Sequence, residues 1–125
     1  MSKLLVIAEK ELDLSFLTVD YTYLNMRKPK DVANLMDVYE TIEPERCDIM
    51  RKEIEKIAPD KIVVIGELEG YKWLATIVSR LFGRFNSWLG QYDADHGETE
   101  IVINGKTVPL LAFKSVADWR EFDAL

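Results

Sequence analysis

The stretch PERCDIMRKEIEKIAPDKIVVIGELEGYKWL, Pro44 to Leu74, decides the fold. Cys47, Met50, Ile54 and Ile57 recur at i, i+3, i+7 and i+10, with Arg46, Lys52, Glu53 and Lys56 on the other side, which predicts an amphipathic helix. Pro44 fits its first turn, where a missing N–H costs nothing. Glu43 and Glu45 stand near the positive helix end, and Pro59 stops the helix. Lys61–Ile65 (KIVVI) is a continuous branched run, which suits a strand covered on both faces. Gly66 and Gly70 bracket a loop. Tyr71, Leu74, Ile77/Val78 and Leu81 then form the inner face of a second helix that stops near Gly83. Helix, strand, loop, helix is how an open α/β sheet presents a loop at the carboxyl end of a strand, where such folds bind ligands.

Working outward, Lys3–Ala8 (KLLVIA) is a second continuous apolar run and predicts a strand parallel to Lys61–Ile65 and beside it. Val19, Tyr21 and Tyr23 alternate with Asp20, Thr22 and Leu24, which predicts a strand over Thr18–Asn25. Pro29 marks a loop, and Val32, Leu35 and Met36 give Lys30–Val38 the narrow apolar face of a short helix. Towards the end, Asn104-Gly105 sits between two β-prone runs in Glu100–Thr107, a type I′ hairpin signal. Val108–Phe113 continues as a strand. Ser115 and Asp118 have capping-box spacing and open a helix over Val116–Phe122 that docks through Trp119 and Phe122. The expected fold is a single domain over residues 1–125. It is a three-layer α/β/α arrangement with a central, mostly parallel sheet of about four strands plus a C-terminal β-hairpin.

Composition sets the outer bounds. The chain has 125 residues, 48% hydrophobic and 30% charged, which matches an ordinary globular domain. No apolar run approaches the ~20 residues that span a bilayer. The opening MSKLLVIAEKEL lacks the long apolar region and small-residue cleavage site of a secretory leader. Cys47 is the one cysteine, so no intrachain disulfide forms, and a reducing cytoplasm is the expected location. The net charge of −6 opposes non-specific nucleic-acid binding, which requires cations to replace condensed counterions. One short basic cluster, Arg27, Lys28 and Lys30, stands against that trend.

No complete catalytic motif is present. In Gly66-Glu-Leu-Glu-Gly70, Glu67 and Glu69 place two negative charges where a phosphate would sit, so the loop reads as a tight turn with acidic helix capping. It has neither P-loop nor GxGxxG spacing. Asp93, Asp95, His96 and Glu98 evoke an oxygen-ligand loop, but glycine falls at its fifth position and Asn104 stands where a calcium loop needs Glu. His96 with Asp93 or Asp95 has the donor types for zinc or for a general base. The polar, Gly-containing segment beside a hairpin reads instead as a solvated loop, and no metal or cofactor is expected. Cys47 reads as a small buried hydrophobe rather than a nucleophile. Phe82, Phe85, Trp88 and Tyr92 read as core or interface residues rather than a base-stacking platform.

Taken in order, these segments resemble the uracil-DNA glycosylase superfamily. KLLVIAE resembles the family's first strand and its water-activating loop. VDYTYLNMRKP resembles the strand that ends in a base-recognising Asn, followed by basic residues. Ile57-Ala-Pro-Asp-Lys-Ile-Val-Val-Ile-Gly66 resembles the family's "L-x-P-x-x-I-V-x-L-G" block, with Cys47 on the preceding helix. VPLLAFKS resembles the last strand and its His-Pro-Ser loop. The resemblance implies Glu9 in the water-activating region, Asn25 at base recognition, Gly66 and Ser115 at the ligand, and Arg27, Lys28, Lys30 and Lys114 towards nucleic acid. Two departures stand out. Lys10-Glu-Leu follows Glu9 in place of a small residue, Pro and Gly. Phe113 and Lys114 occupy the positions of the family's His and Pro, removing a donor to the charge that develops on the base.

Three functions follow as expectations. The first is a degenerate, non-catalytic glycosylase-like domain that binds a nucleobase, nucleotide, nucleic acid or protein at the carboxyl edge of the sheet. The second is an acidic interaction or DNA-mimic module, for which 22 carboxylates against 16 cations supply electrostatic steering. The third is a minimal N-glycosidic hydrolase that removes uracil from DNA, with Asn25 reading a flipped base and Glu9 placing the water.

Overall fold

In the structure, a computed structural model, residues 3–25, 44–66, 70–82 and 96–124 are described. The elements are β1 (Leu4–Ala8), β2 (Tyr21–Asn25), α1 (Pro44–Ile57), β3 (Lys61–Ile65), α2 (Gly70–Leu81), β4 (His96–Ile103), β5 (Lys106–Phe113) and α3 (Val116–Ala124). The five strands form one sheet in the order β2-β1-β3-β5-β4. β2, β1, β3 and β5 run parallel, and β4 is antiparallel to β5. Leu4 faces Lys61 and Ala8 faces Ile65, so the two continuous apolar runs are neighbouring central strands pointing the same way. The fold is α/β with a mostly parallel sheet, and the C-terminal hairpin belongs to it.

Continuous apolar strands need cover on both sides, and the residues alternate between two buried clusters accordingly. Leu5, Ile7, Ile62, Val64, Leu110 and Ala112 pack with Ile54 of α1 and with Leu74, Ile77, Val78 and Leu81 of α2. Leu4, Val6, Val63, Ile65, Leu111 and Phe113 pack with Leu14 and with Trp119 of α3. The periodicity of α1 is realised as expected: Cys47 and Ile54 are buried, and Met50 and Ile57 pack partly against the same cluster.

The amino end of the sheet is tied by polar groups. Ala58 takes a left-handed conformation (φ 51°), and its N–H donates to the Ile54 carbonyl at 3.0 Å, closing α1 before Pro59. Asp60 then accepts from the Lys3 N–H at 2.7 Å and pairs with the Lys106 ammonium. Asn104 and Gly105 have φ of 52° and 80°, the two positive values of a type I′ turn, and Asn104 Nδ2 donates to the Glu55 carbonyl at 3.0 Å.

Several boundaries differ from expectation. β2 starts at Tyr21 rather than Thr18. β4 starts at His96, four residues before the expected Glu100, so His96 to Glu98 lie in a strand and not in a solvated loop. Their pairing with β5 (Glu98 opposite Leu111, Glu100 opposite Pro109) supplies the ladder that hydrophobicity did not signal. α3 runs on to Ala124. The expected helix over Lys30–Val38, together with Glu67, Glu69, Phe85, Trp88, Tyr92, Asp93 and Asp95, lies outside the described residues. Among the described residues, no helix is long and apolar enough to cross a membrane.

Candidate functional site

Strand order locates the candidate site. After β1 the chain moves to β2 on one side, then returns past β1 to β3 on the other. The strand order therefore reverses between β1 and β3, and open α/β sheets bind ligands beyond the carboxyl ends of the strands at such a point. The register aligns Asn25, Ala8, Ile65, Phe113 and His96 in one row across this edge. Glu9, Gly66 and Lys114 are the residues that leave it.

Side chains of β2 hold the β1 exit in place. Asn25 Nδ2 donates to the Glu9 carbonyl at 3.0 Å and lies 3.5 Å from the Tyr23 hydroxyl, which donates to the Lys10 carbonyl at 2.6 Å. Tyr23 and Asn25 are two apart on one strand, so they share a face and act together. Tyr23 was not among the residues expected at the site. The period-2 alternation with Asn25 was the available signal.

The β3 exit is fixed by backbone. Gly66 is buried, and its N–H donates to the Phe113 carbonyl at 3.1 Å. Ser115 caps α3: its Oγ accepts from the Asp118 N–H at 3.1 Å and donates to Asp118 Oδ2 at 3.0 Å. Lys114 is exposed between them. In the β1–β2 connection, the Ser15 hydroxyl and N–H hold the Asp13 carboxyl below its ordinary range, and the Arg120 charge adds to this.

The structure thus brings Asn25 and Glu9 into contact through the Glu9 carbonyl. Gly66 lies on the far side of β1 from them, and Ser115 follows β5. Three strand spacings, about 14 Å, separate β2 from β5. One small group cannot touch both Asn25 and Ser115, whereas a ligand lying along the edge would pass both. Arg27, Lys28 and Lys30 lie outside the described residues. No group of three or more His, Cys, Asp or Glu among the described residues is placed to hold a metal. Compared with protein-family models, curated proteins and solved structures, the chain has no match.

Proposed function

We propose that the carboxyl edge is a binding site for a nucleobase or nucleotide in a glycosylase-like domain that does not cleave. The reading rests on one observation: the strand order reverses between β1 and β3, and the carboxyl ends there carry Glu9 and Asn25 on one side and Gly66 on the other. Asn25 keeps its carbonyl oxygen for a base edge while its nitrogen holds Glu9. Lys114, next along the edge, is a cation suited to a phosphate.

The same bonds weigh against the hydrolase reading. The Asn25 amide nitrogen is committed to Glu9 and Tyr23, which leaves only its oxygen for a base and removes the donor half of a two-bond readout. Phe113 is fully buried in the core and supplies no donor where the resembling family has His. The net charge of −6 favours the acidic interaction module as the second reading.

Backbone amide NMR during titration with uracil, uridine monophosphate and a short single-stranded oligonucleotide tests the proposal. Shifts confined to Glu9, Lys10, Gly66, Lys114 and Ser115 are expected, with a uracil-containing oligonucleotide left uncut. No shift at millimolar ligand rejects the nucleotide reading, and free base released in an Asn25-dependent manner would establish the hydrolase. A partner captured at low salt and released by a few hundred millimolar salt would favour the acidic module.

A further inference from the structure

The sheet has two outer strands, and only one carries charges against further pairing. β4 exposes Glu98 and Glu100 at alternating positions, which discourages a further strand. β2, Tyr-Thr-Tyr-Leu-Asn, has no charge and no proline. Among the described residues no strand pairs with its outer side, and Tyr21 is 44% exposed. The Leu4 N–H donates to the Asp20 carbonyl at 3.3 Å. By the alternation of a parallel ladder, Asp20, Thr22 and Leu24 turn their backbone groups towards β1, and Tyr21, Tyr23 and Asn25 turn theirs outward.

An open groove of about 310 Å³ begins where this edge begins. Leu4, Tyr21 and Ile57 line it, and Lys3 and Lys56 are its two cationic lining residues. Neither ammonium has an ion-pair partner among the described residues. Asp20 lines the same groove, so its lining carries two cationic residues and one acidic one. A chain of net charge −6 therefore carries a locally cationic groove at the start of a strand edge that no described residue pairs.

We propose that β2 receives an extended peptide from a partner protein, added antiparallel, with its C-terminal carboxylate seated between Lys3 and Lys56. Antiparallel addition sends the C-terminus of the incoming strand to the amino end of β2, where the groove lies. Beyond Tyr21 the outward backbone groups end, because Asp20 turns to β1, and a strand that stops there leaves no backbone unpaired. Main-chain bonds supply the affinity, and the groove supplies the preference for a free carboxylate. The site is at the opposite end of the sheet from the carboxyl edge proposed for a nucleotide and does not depend on that reading.

Random peptides displayed with free C-termini, followed by fluorescence anisotropy of the selected sequence, test this. Selected peptides are expected to bind in the micromolar range and to weaken about tenfold on C-terminal amidation. Lys3→Gln and Lys56→Gln weaken binding severalfold, and Asp20→Asn tightens it. Tyr21→Pro removes an outward N–H at the first residue of an edge strand, where proline is tolerated, so it abolishes binding and leaves the melting temperature within a few degrees. Failure to select any peptide, equal binding of the amidated form, or indifference to Tyr21→Pro overturns the proposal. So does Tyr21-dependent self-association in sedimentation, which would give the edge to a second copy of the chain.

Discussion

β1 buries all five of its side chains, yet the two faces it serves are built differently. On one, Leu5 and Ile7 meet an aliphatic layer covered by α1 and α2, with contacts spread over many side chains of similar size. On the other, Leu4, Val6 and Ala8 meet a layer centred on one indole. Trp119 stands edge-on to Phe16 (centroids 5.4 Å, 79°) and stacked on Phe113 (6.4 Å, 20°), and Phe122 packs on Phe113 at 5.4 Å. The Arg120 guanidinium lies 5.0 Å from the Phe16 ring centroid. A face covered by two helices divides its burial among interchangeable residues. A face that, among the described residues, is covered by one nine-residue helix and an irregular segment concentrates it.

The largest expected effect tests that concentration. Trp119→Ala should cost about 3–5 kcal/mol, read from urea unfolding followed by circular dichroism. Trp119→Phe sharpens the point, because the buried indole N–H has no hydrogen-bond partner among the described residues. An unpaired buried donor costs about 1–3 kcal/mol, so removing it offsets lost ring volume. Trp119→Phe should therefore cost less than half of what Trp119→Ala costs. Equal costs for the two would show that the N–H is satisfied and that its bond, not the ring volume that phenylalanine keeps, carries the loss.

The aliphatic face should be more forgiving. Ile54→Ala removes a fully buried side chain of α1 and should cost about 2–4 kcal/mol, below the Trp119→Ala value in the same assay. A larger loss at Ile54 would reverse the comparison and place the more critical packing under α1.

The two faces also differ in how far the sequence announced them. α1 was legible because Cys47, Met50, Ile54 and Ile57 keep helical period, and that period exists only if one side faces a core. The I′ turn was legible because Asn104-Gly105 tolerates two positive φ values. The Leu12–Leu17 segment was not, since Leu14 is buried and Phe16 partly buried by tertiary contact, and neither has a periodic partner. The start of β4 was hidden because its outer face carries Glu98 and Glu100, and a strand with one wet face has a weak apolar signature. At the candidate site, the sequence placed Glu9, Asn25, Gly66 and Ser115 at strand ends but could not show what they bond. Asn25 reaching the Glu9 carbonyl, and Tyr23 the Lys10 carbonyl, depends on the register of β2 against β1. A shift of one residue would turn both side chains to the other face.

Helix ends give smaller and opposite effects on the two faces. Ser115→Ala removes the cap of α3 and should cost about 1 kcal/mol. Ala58→Gly relieves a left-handed φ at the end of α1 and should stabilise by about 0.5–1 kcal/mol. Both changes are measurable as shifts in the unfolding midpoint at constant slope.

The smallest effect compares two exposed carboxylates, one on each side of the sheet. Asp48 of α1 is held below the ordinary range chiefly by a hydrogen bond from Lys52 (2.8 Å) and by the nearby Arg51. Asp13, beside the aromatic face, is held down chiefly by the Ser15 hydroxyl and N–H. A depressed folded-state value means that the unfolded chain binds the proton more tightly. The stabilisation is therefore complete above the ordinary Asp range and is lost as pH falls below about 4 towards the folded values. Asp48→Asn and Asp13→Asn should each flatten the acid limb of the melting-temperature profile and leave it unchanged in shape near neutrality. Salt separates them: half-molar sodium chloride screens the ion pairs of Asp48 but not the short-range hydrogen bonds of Asp13. The acid limb attributable to Asp48 should shrink with added salt while that of Asp13 persists. Equal salt sensitivity would show that Arg120, and not Ser15, controls the carboxylate beside the aromatic face.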